Sequence, residues 1–194
     1  MELTLKRYLA WIDRFADQVI AQKDYLSELD AKIGDGDHGN NLARGVEAIK
    51  NSLTKEPQDL TTALKLTAMA LISKVGGAAG PLYGTAFLEM AKTSSRTADL
   101  GQLLAAATTG LQKRGGAKAG DKTMVDVWLP VSAAVTKGKL TTDVIEKAVS
   151  ATKPMEAKKG RASYLGERSI GHLDPGAVSS GYLFDTLIKT EDSK

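Results

Sequence analysis

Glycine divides this chain into blocks. Most of its 19 glycines fall within four stretches, residues 34–39, 76–84, 115–120 and 160–176, and the segments between them are nearly free of it. Glycine in a helix interior costs about 1 kcal/mol relative to alanine, so long spared segments remain free to be helical. The first of these shows the pattern: Leu5, Leu9, Ile12, Phe15, Ala16, Val19 and Ile20 recur at a period near 3.6, with charges between them. No segment alternates at period two, and β-branched residues are not clustered. The fold class expected is all-α, about eight helices in a single domain spanning residues 1–194.

The helices can be placed in order. A short helix is expected from about Lys23 to Asp30, stopped by Gly34 and Gly36. Asn40 or Asn41 would cap the next, which carries Leu42, Val46 and Ile49 and breaks near Pro57. Leu60 to Val75 forms a helix ending in a loop over residues 76–84, followed by one with Phe87 and Met90 inward. Thr97 would cap a helix running out at Arg114 into a loop over residues 115–123. Val125 to Val135 reads as a helix with Pro130 as a point of bending, and Thr141 or Thr142 caps another through Val149. The longest loop covers residues 159–176, and a closing helix from about Ala177 to Lys189 precedes a polar tail.

Composition narrows the function classes. Net charge is +3, from 26 basic and 23 acidic residues, and the basic ones are scattered, which argues against a nucleic-acid partner. There are no cysteines, so disulfides and thiolate metal sites are excluded. The N-terminal segment mixes charges with its apolar residues and resembles neither a signal peptide nor a membrane span. No membrane association is expected, and cytoplasmic is the default localisation.

Chemistry concentrates in residues 30–41, which hold Asp30, Asp35, Asp37, His38, Asn40, Asn41 and three glycines. Carboxylates this close repel one another, so keeping all three ionised calls for a hard cation, Mg2+ or Ca2+. An EF-hand is ruled out: counted from Asp35, its sixth position is Asn40 rather than glycine and its twelfth Val46 rather than glutamate. An Asp-x-Asp pair also occurs in solvated turns. Here the loop feeds a helix near Asn40, whose free N–H groups suit a phosphate beside the cation. His38 is open to several roles: phosphate or ribose donor, acid or base, phosphorylated carrier, or loop anchor.

Gly115 to Thr123 nearly reproduces a P-loop, but Asp121 separates Gly120 from Lys122, and the segment before it is helical where a P-loop needs a strand. Lys122 and Asp121 could hold this loop over a ligand. Arg161, Arg168 and His172 share the last loop with Asp174, Pro175 and Gly176. In an up-and-down bundle alternate loops gather at one end and can enclose a ligand together.

The strings GDGDHGNN, GGAAGPLYG, GDKTMVDVWLPV and KGRASYLGERSIGHLDPGA, in this order and spacing, resemble the nucleotide-binding L-subunit family of the dihydroxyacetone kinases. The resemblance spans the whole chain and implies a barrel of eight antiparallel helices with ADP and Mg2+ at one end. It assigns Asp30, Asp35 and Asp37 to Mg2+. His38, Gly39, Asn40, Asn41, Ala78, Ala79, Gly115, Met124, Arg161, Asp174, Pro175 and Gly176 would line the nucleotide pocket, with Arg161 as a charge stabiliser. Ala79 departs from the serine of many relatives.

The family divides by phosphoryl donor. Where the L domain is a separate subunit, it holds its nucleotide tightly as a cofactor. A phosphohistidine on the M subunit of the phosphotransferase system then converts bound ADP to ATP, which phosphorylates dihydroxyacetone on the K subunit. This branch is the one resembled, with K and M subunits and a second copy of the chain as expected partners. Use of exchangeable ATP, a regulatory nucleotide-binding role, and a phosphohistidine carrier at His38 or His172 are the alternatives.

Overall fold

The computed structural model describes residues 1–191. Nine α-helices follow one another: α1 (Leu5–Ala21), α2 (Lys23–Ile33), α3 (His38–Leu53), α4 (Leu60–Lys74), α5 (Ala79–Ser94), α6 (Leu100–Gly115), α7 (Val125–Thr136), α8 (Thr142–Ala151) and α9 (Pro175–Glu191). A 3-10 segment, Arg161–Ser169, lies between the last two. Among the described residues the only β pairing is an isolated bridge between Glu2 and Asp99. None of these helices is long and apolar enough to cross a membrane. The expected polar tail lies mostly outside the described residues.

Each helix from α3 to α9 packs on its successor, α9 packs on α1, and α1 packs on α3, so the contacts close into a cycle of eight. α2 stands outside the cycle against α3, α9 and the 3-10 segment. The core inside it is large: Tyr8, Trp11, Phe15, Tyr83, Phe87, Trp128 and Phe184 are all essentially without solvent exposure. Their rings meet edge-on or tilted, as in Trp128 and Phe184 with centroids 4.9 Å apart and Tyr8 and Trp11 at 6.1 Å. The Trp11 indole N–H donates to the Leu183 carbonyl at 2.7 Å and fastens α1 to α9 where the cycle closes.

Several sequence expectations are corrected. α3 is not capped by Asn40 or Asn41: it begins at His38, both asparagines lie in its first turn, and the acceptor for its N–H groups comes from Asp30 on α2. α6 is capped by Asp99, whose Oδ1 accepts from Gln102 N at 3.0 Å, while Thr97 accepts from Asp99 N instead. The stretch 76–84 is mostly helix. α5 starts at Ala79, and Pro81 fits because a first-turn residue needs no N–H. Its Gly84 serves packing: a Cβ there would stand 2.3 Å from Cγ1 of Ile72 on α4. α9 likewise starts two residues early, with Pro175 at its first position and Asp174 Oδ2 accepting from Ala177 N at 2.7 Å. The loop over residues 159–176 contains the 3-10 segment, kinked at Gly166 with φ 54°. Thr141 caps α8 as expected, its hydroxyl accepting from Val144 N.

Candidate functional site

The alternation of helices brings four helix starts to one end. His38, Ala79, Val125 and Pro175, the first residues of α3, α5, α7 and α9, all line one cleft made of two adjoining lobes. Each helix start presents the positive end of the helix dipole, so the cleft favours an anion, although part of the first-turn N–H groups is already taken: His38 N by Asp30, Val125 N by Thr123 and Ala177 N by Asp174.

The first lobe, about 560 Å³, is acidic on one wall and carries Lys158, Lys159 and Arg161 on another. Asp30, Asp35 and Asp37 each offer a carboxylate oxygen, and these oxygens lie within 4.8 Å of one another. Asp30 is the half-buried member. Its Oδ2 accepts from Asp37 N at 2.9 Å and His38 N at 3.2 Å, which fixes the acidic loop on the end of α2. Burial raises its pKa, the two backbone donors oppose that, and the charges of Asp35 and Asp37 push it up again. A hard cation would remove the repulsion, and three oxygens at this separation suit one that completes its shell with water or phosphate. Arg161, at the start of the 3-10 segment, reaches across to Asp35 Oδ2 at 2.9 Å. Gly39 makes the corner possible, because a Cβ there would fall 1.8 Å from the Lys23 carbonyl of α2.

The second lobe, about 320 Å³, is more apolar, lined by Pro81, Leu82, Leu111, Ala117, Met124 and Val125 among others. His38, Ala78, Ala79, Lys159, Gly160, Asp174 and Pro175 border both lobes. A flat aromatic base in this lobe and a charged chain in the other is the ligand shape that such a pair of lobes accommodates.

A buried polar network fastens this side. The Lys122 side chain is 1% exposed, and its Nζ donates to the carbonyls of Thr152 at 2.8 Å, Met155 at 3.1 Å and His172 at 2.5 Å. One ammonium thereby ties the segment after α6 to both ends of the segment between α8 and α9. Burial lowers its pKa, and the Asp174 charge opposes that. Asp126 accepts from Gly120 N at 2.5 Å and Thr123 N at 2.8 Å, closing the loop ahead of α7. Asp174 is pushed up to about 7 by burial, against the Ala177 N–H and Lys122, with Asp126 and Asp30 adding to the rise. His38 is pushed down to about 4 by burial, with Asp37 opposing; its Nε2 lies 3.0 Å from Ser179 Oγ.

Of the residues singled out in the sequence, Asp30, Asp35, Asp37, His38, Asn41, Ala78, Ala79, Gly115, Met124, Arg161, Asp174, Pro175 and Gly176 all line the cleft. Gly39 and Asn40 do not: Gly39 is buried against α2, and Asn40 is exposed with its N–H on Ser27 Oγ at 3.3 Å. Arg168 and His172 also fall outside the lining. Sequence reasoning missed Lys158, Lys159 and Tyr164 on the rim, and the carbonyl partners of Lys122. A lysine followed closely by Thr-Met-Val gives no sign of burial. Its only signal was the glycine-rich setting.

Comparison with known proteins places the chain among relatives. The model of the DAK2 domain family matches residues 32–189. A Listeria innocua protein named PEP-dependent dihydroxyacetone kinase 1, ADP-binding subunit DhaL, is 54% identical over 190 residues, covering 95% of this chain and 96% of the relative. The Escherichia coli protein named PEP-dependent dihydroxyacetone kinase, ADP-binding subunit DhaL, is 39% identical over 204 residues, covering 96% and 97%. Among solved structures, the dihydroxyacetone kinase from C. freundii in complex with AMP-PNP and Mg2+ matches with a TM-score of 0.78 at 22% identity, over 97% of this chain and 34% of that one. At that identity the likeness is one of fold.

Proposed function

The chain belongs to the DAK2 domain family, and from that premise we propose that it is the ADP-binding subunit of a phosphoenolpyruvate-dependent dihydroxyacetone kinase. The observation that carries the reading is the placement of three carboxylates beside the start of α3, in one cleft with the starts of α5, α7 and α9 and with an apolar lobe adjoining. Relatives matched over nearly their whole length bear that name.

In this reading Asp30, Asp35 and Asp37 hold Mg2+, which supplies charge compensation on the β- and γ-phosphates and alignment for in-line transfer. The starts of α3, α5 and α9 hold phosphate oxygens through backbone N–H groups, so Ala79 can contribute without a hydroxyl. Leu82, Leu111 and Met124 hold the base and exclude water from it. Arg161 leaves Asp35 and turns its charge toward the phosphates. Gly39 shapes the corner and Asn40 supports it from outside. A phosphohistidine on the M subunit delivers the phosphoryl group, and dihydroxyacetone on the K subunit receives it. Transfer of this kind needs placement and electrostatics more than covalent help from the protein, so no residue of this chain is phosphorylated. The general base for the substrate hydroxyl sits on the K subunit, and the working assembly includes a second copy of this chain.

Denaturing the purified protein and identifying what it releases tests the reading. Stoichiometric ADP that survives gel filtration, with slow exchange against labelled ATP, is the expected result. An empty protein that turns over added ATP would transfer the assignment to the ATP-dependent branch. A phosphohistidine on this chain without nucleotide would end it.

A further inference from the structure

The four helices whose starts line the cleft are also joined inside the core by one chain of side-chain hydrogen bonds. Trp128 Nε1 of α7 donates to Ser180 Oγ of α9 at 3.0 Å, and Ser180 Oγ lies 3.0 Å from the Tyr83 hydroxyl of α5. Tyr83 OH lies 2.8 Å from Ser179 Oγ, which in turn lies 3.0 Å from His38 Nε2 of α3. Trp128, Tyr83, Ser179 and Ser180 have no solvent exposure, so water cannot stand in for any partner.

An indole N–H can only donate, so Ser180 accepts from Trp128. Because the Tyr83 oxygen is the one other partner in reach of the buried Ser180 hydroxyl, satisfying every buried donor sets the direction of the next two links. Ser180, having accepted from Trp128, passes its own proton to the Tyr83 oxygen, and Tyr83 passes its proton to Ser179. The Ser179 proton then has two acceptors in reach, His38 Nε2 at 3.0 Å and the Gly176 carbonyl at 3.2 Å. A ladder carbonyl keeps a second lone pair and accepts such protons elsewhere in the fold, as from Thr108 and Thr136, so both acceptors are open to Ser179; of the two, Nε2 is the one with no other partner. On the far side of the ring, Nδ1 has no protein partner and is not among the enclosed polar atoms that lack one, so it reaches the cleft.

We propose that Trp128, Ser180, Tyr83 and Ser179 are positioning residues that form a one-way hydrogen-bond relay holding the His38 proton on Nδ1, where it is donated to a phosphate oxygen in the cleft. The opposite tautomer would present a lone pair to that oxygen and repel it. The relay thus converts the identity of a core tryptophan into the polarity of one ring atom in the site, and it rests on the nucleotide-binding reading only for the identity of the acceptor.

Nitrogen-15 NMR of histidine-labelled protein tests it directly, since the chain has two histidines and His172→Gln assigns them. The expected spectrum, with and without ADP and Mg2+, has a protonated, pyrrole-type Nδ1 and an unprotonated, pyridine-type Nε2 on His38. Tyr83→Phe, which removes a single oxygen, and Trp128→Phe should each shift both signals toward the values of a tautomer mixture. A protonated Nε2 in the unmodified protein overturns the proposal without any variant, as does a wild-type spectrum that Tyr83→Phe leaves unchanged. ADP content measured on the same samples separates the two readings: protein without ADP but with the expected tautomer sinks the functional assignment alone, and bound ADP beside the wrong tautomer sinks the relay alone.

Discussion

The two sides of the cleft are stabilised in opposite ways. On the side of α7 and α9, every buried charge answers to a partner: Lys122 to three carbonyls, Asp126 to two N–H groups, Asp174 to the start of α9. On the side of α2 and α3, three carboxylates crowd together with two backbone donors on Asp30 and one exposed arginine on Asp35. The first wall is finished by the protein itself. The second is left electrostatically incomplete, and the ligand would complete it. A site built in this way reserves its strongest unmet interaction for what binds.

The sharpest way to break this contrast is Lys122→Met. It leaves three carbonyls and Asp174 without their cation and should destabilise the protein by about 3 kcal/mol in urea unfolding, ligand or no ligand. Little change in the urea midpoint would show that the finished wall is not what holds this side. Asp37→Ala should do the reverse. Stability of the nucleotide-free protein should stay within about 0.5 kcal/mol of the parent, because the lost residue is exposed and repelled by its neighbours. Bound ADP should be lost, and with it the ligand's share of thermal stability, about 5–10 °C; unchanged ADP content would refute the metal assignment.

A third outcome concerns pH. Asp174 is raised to about 7, so its contribution to stability is fully present below the unfolded carboxylate range and fades as pH rises toward 7. Asp174→Asn should remove that loss, flattening the nucleotide-free stability profile between about pH 4 and 7. A profile that still falls as in the parent would place the titration elsewhere. The smallest effect is expected from Arg161→Ala. Its ion pair with Asp35 is exposed and should be worth under about 1 kcal/mol to the empty protein, while ADP release should quicken. An unchanged release rate would assign Arg161 to the empty state only.

How much of this was legible in the sequence follows from range. The acidic loop was readable because its chemistry is local: three aspartates, a histidine and the glycines sit within twelve positions. Apolar spacing together with turn signals likewise placed the nine α-helices, since both belong to each segment alone, whereas the 3-10 segment Arg161–Ser169 was read as loop. Ends were less legible. Glycine signals a turn and a close helix contact alike, so Gly84 was read into a loop when it admits Ile72 from α4, and the reading of Gly39 as a ligand contact left out that it also admits a carbonyl of α2. The cap of α3 was misplaced because Asp30 supplies it from another helix. Lys122 was noticed for its glycines, yet the carbonyls that define its role lie 30 to 50 residues downstream. The relay to His38 spans four helices and leaves no local trace.

The closure of the helix cycle by α9 against α1 has a consequence for biosynthesis. The cleft's last wall, from Asp174 to Gly176, belongs to the final helix, and the Trp11 indole finds its acceptor at Leu183 only when that helix docks. A chain emerging from the ribosome therefore carries its acidic loop in solution long before the pocket around it exists. The pocket can take up its ligand only once α9 has docked, and any truncation removing α9 would cost the ligand and the fold in a single step.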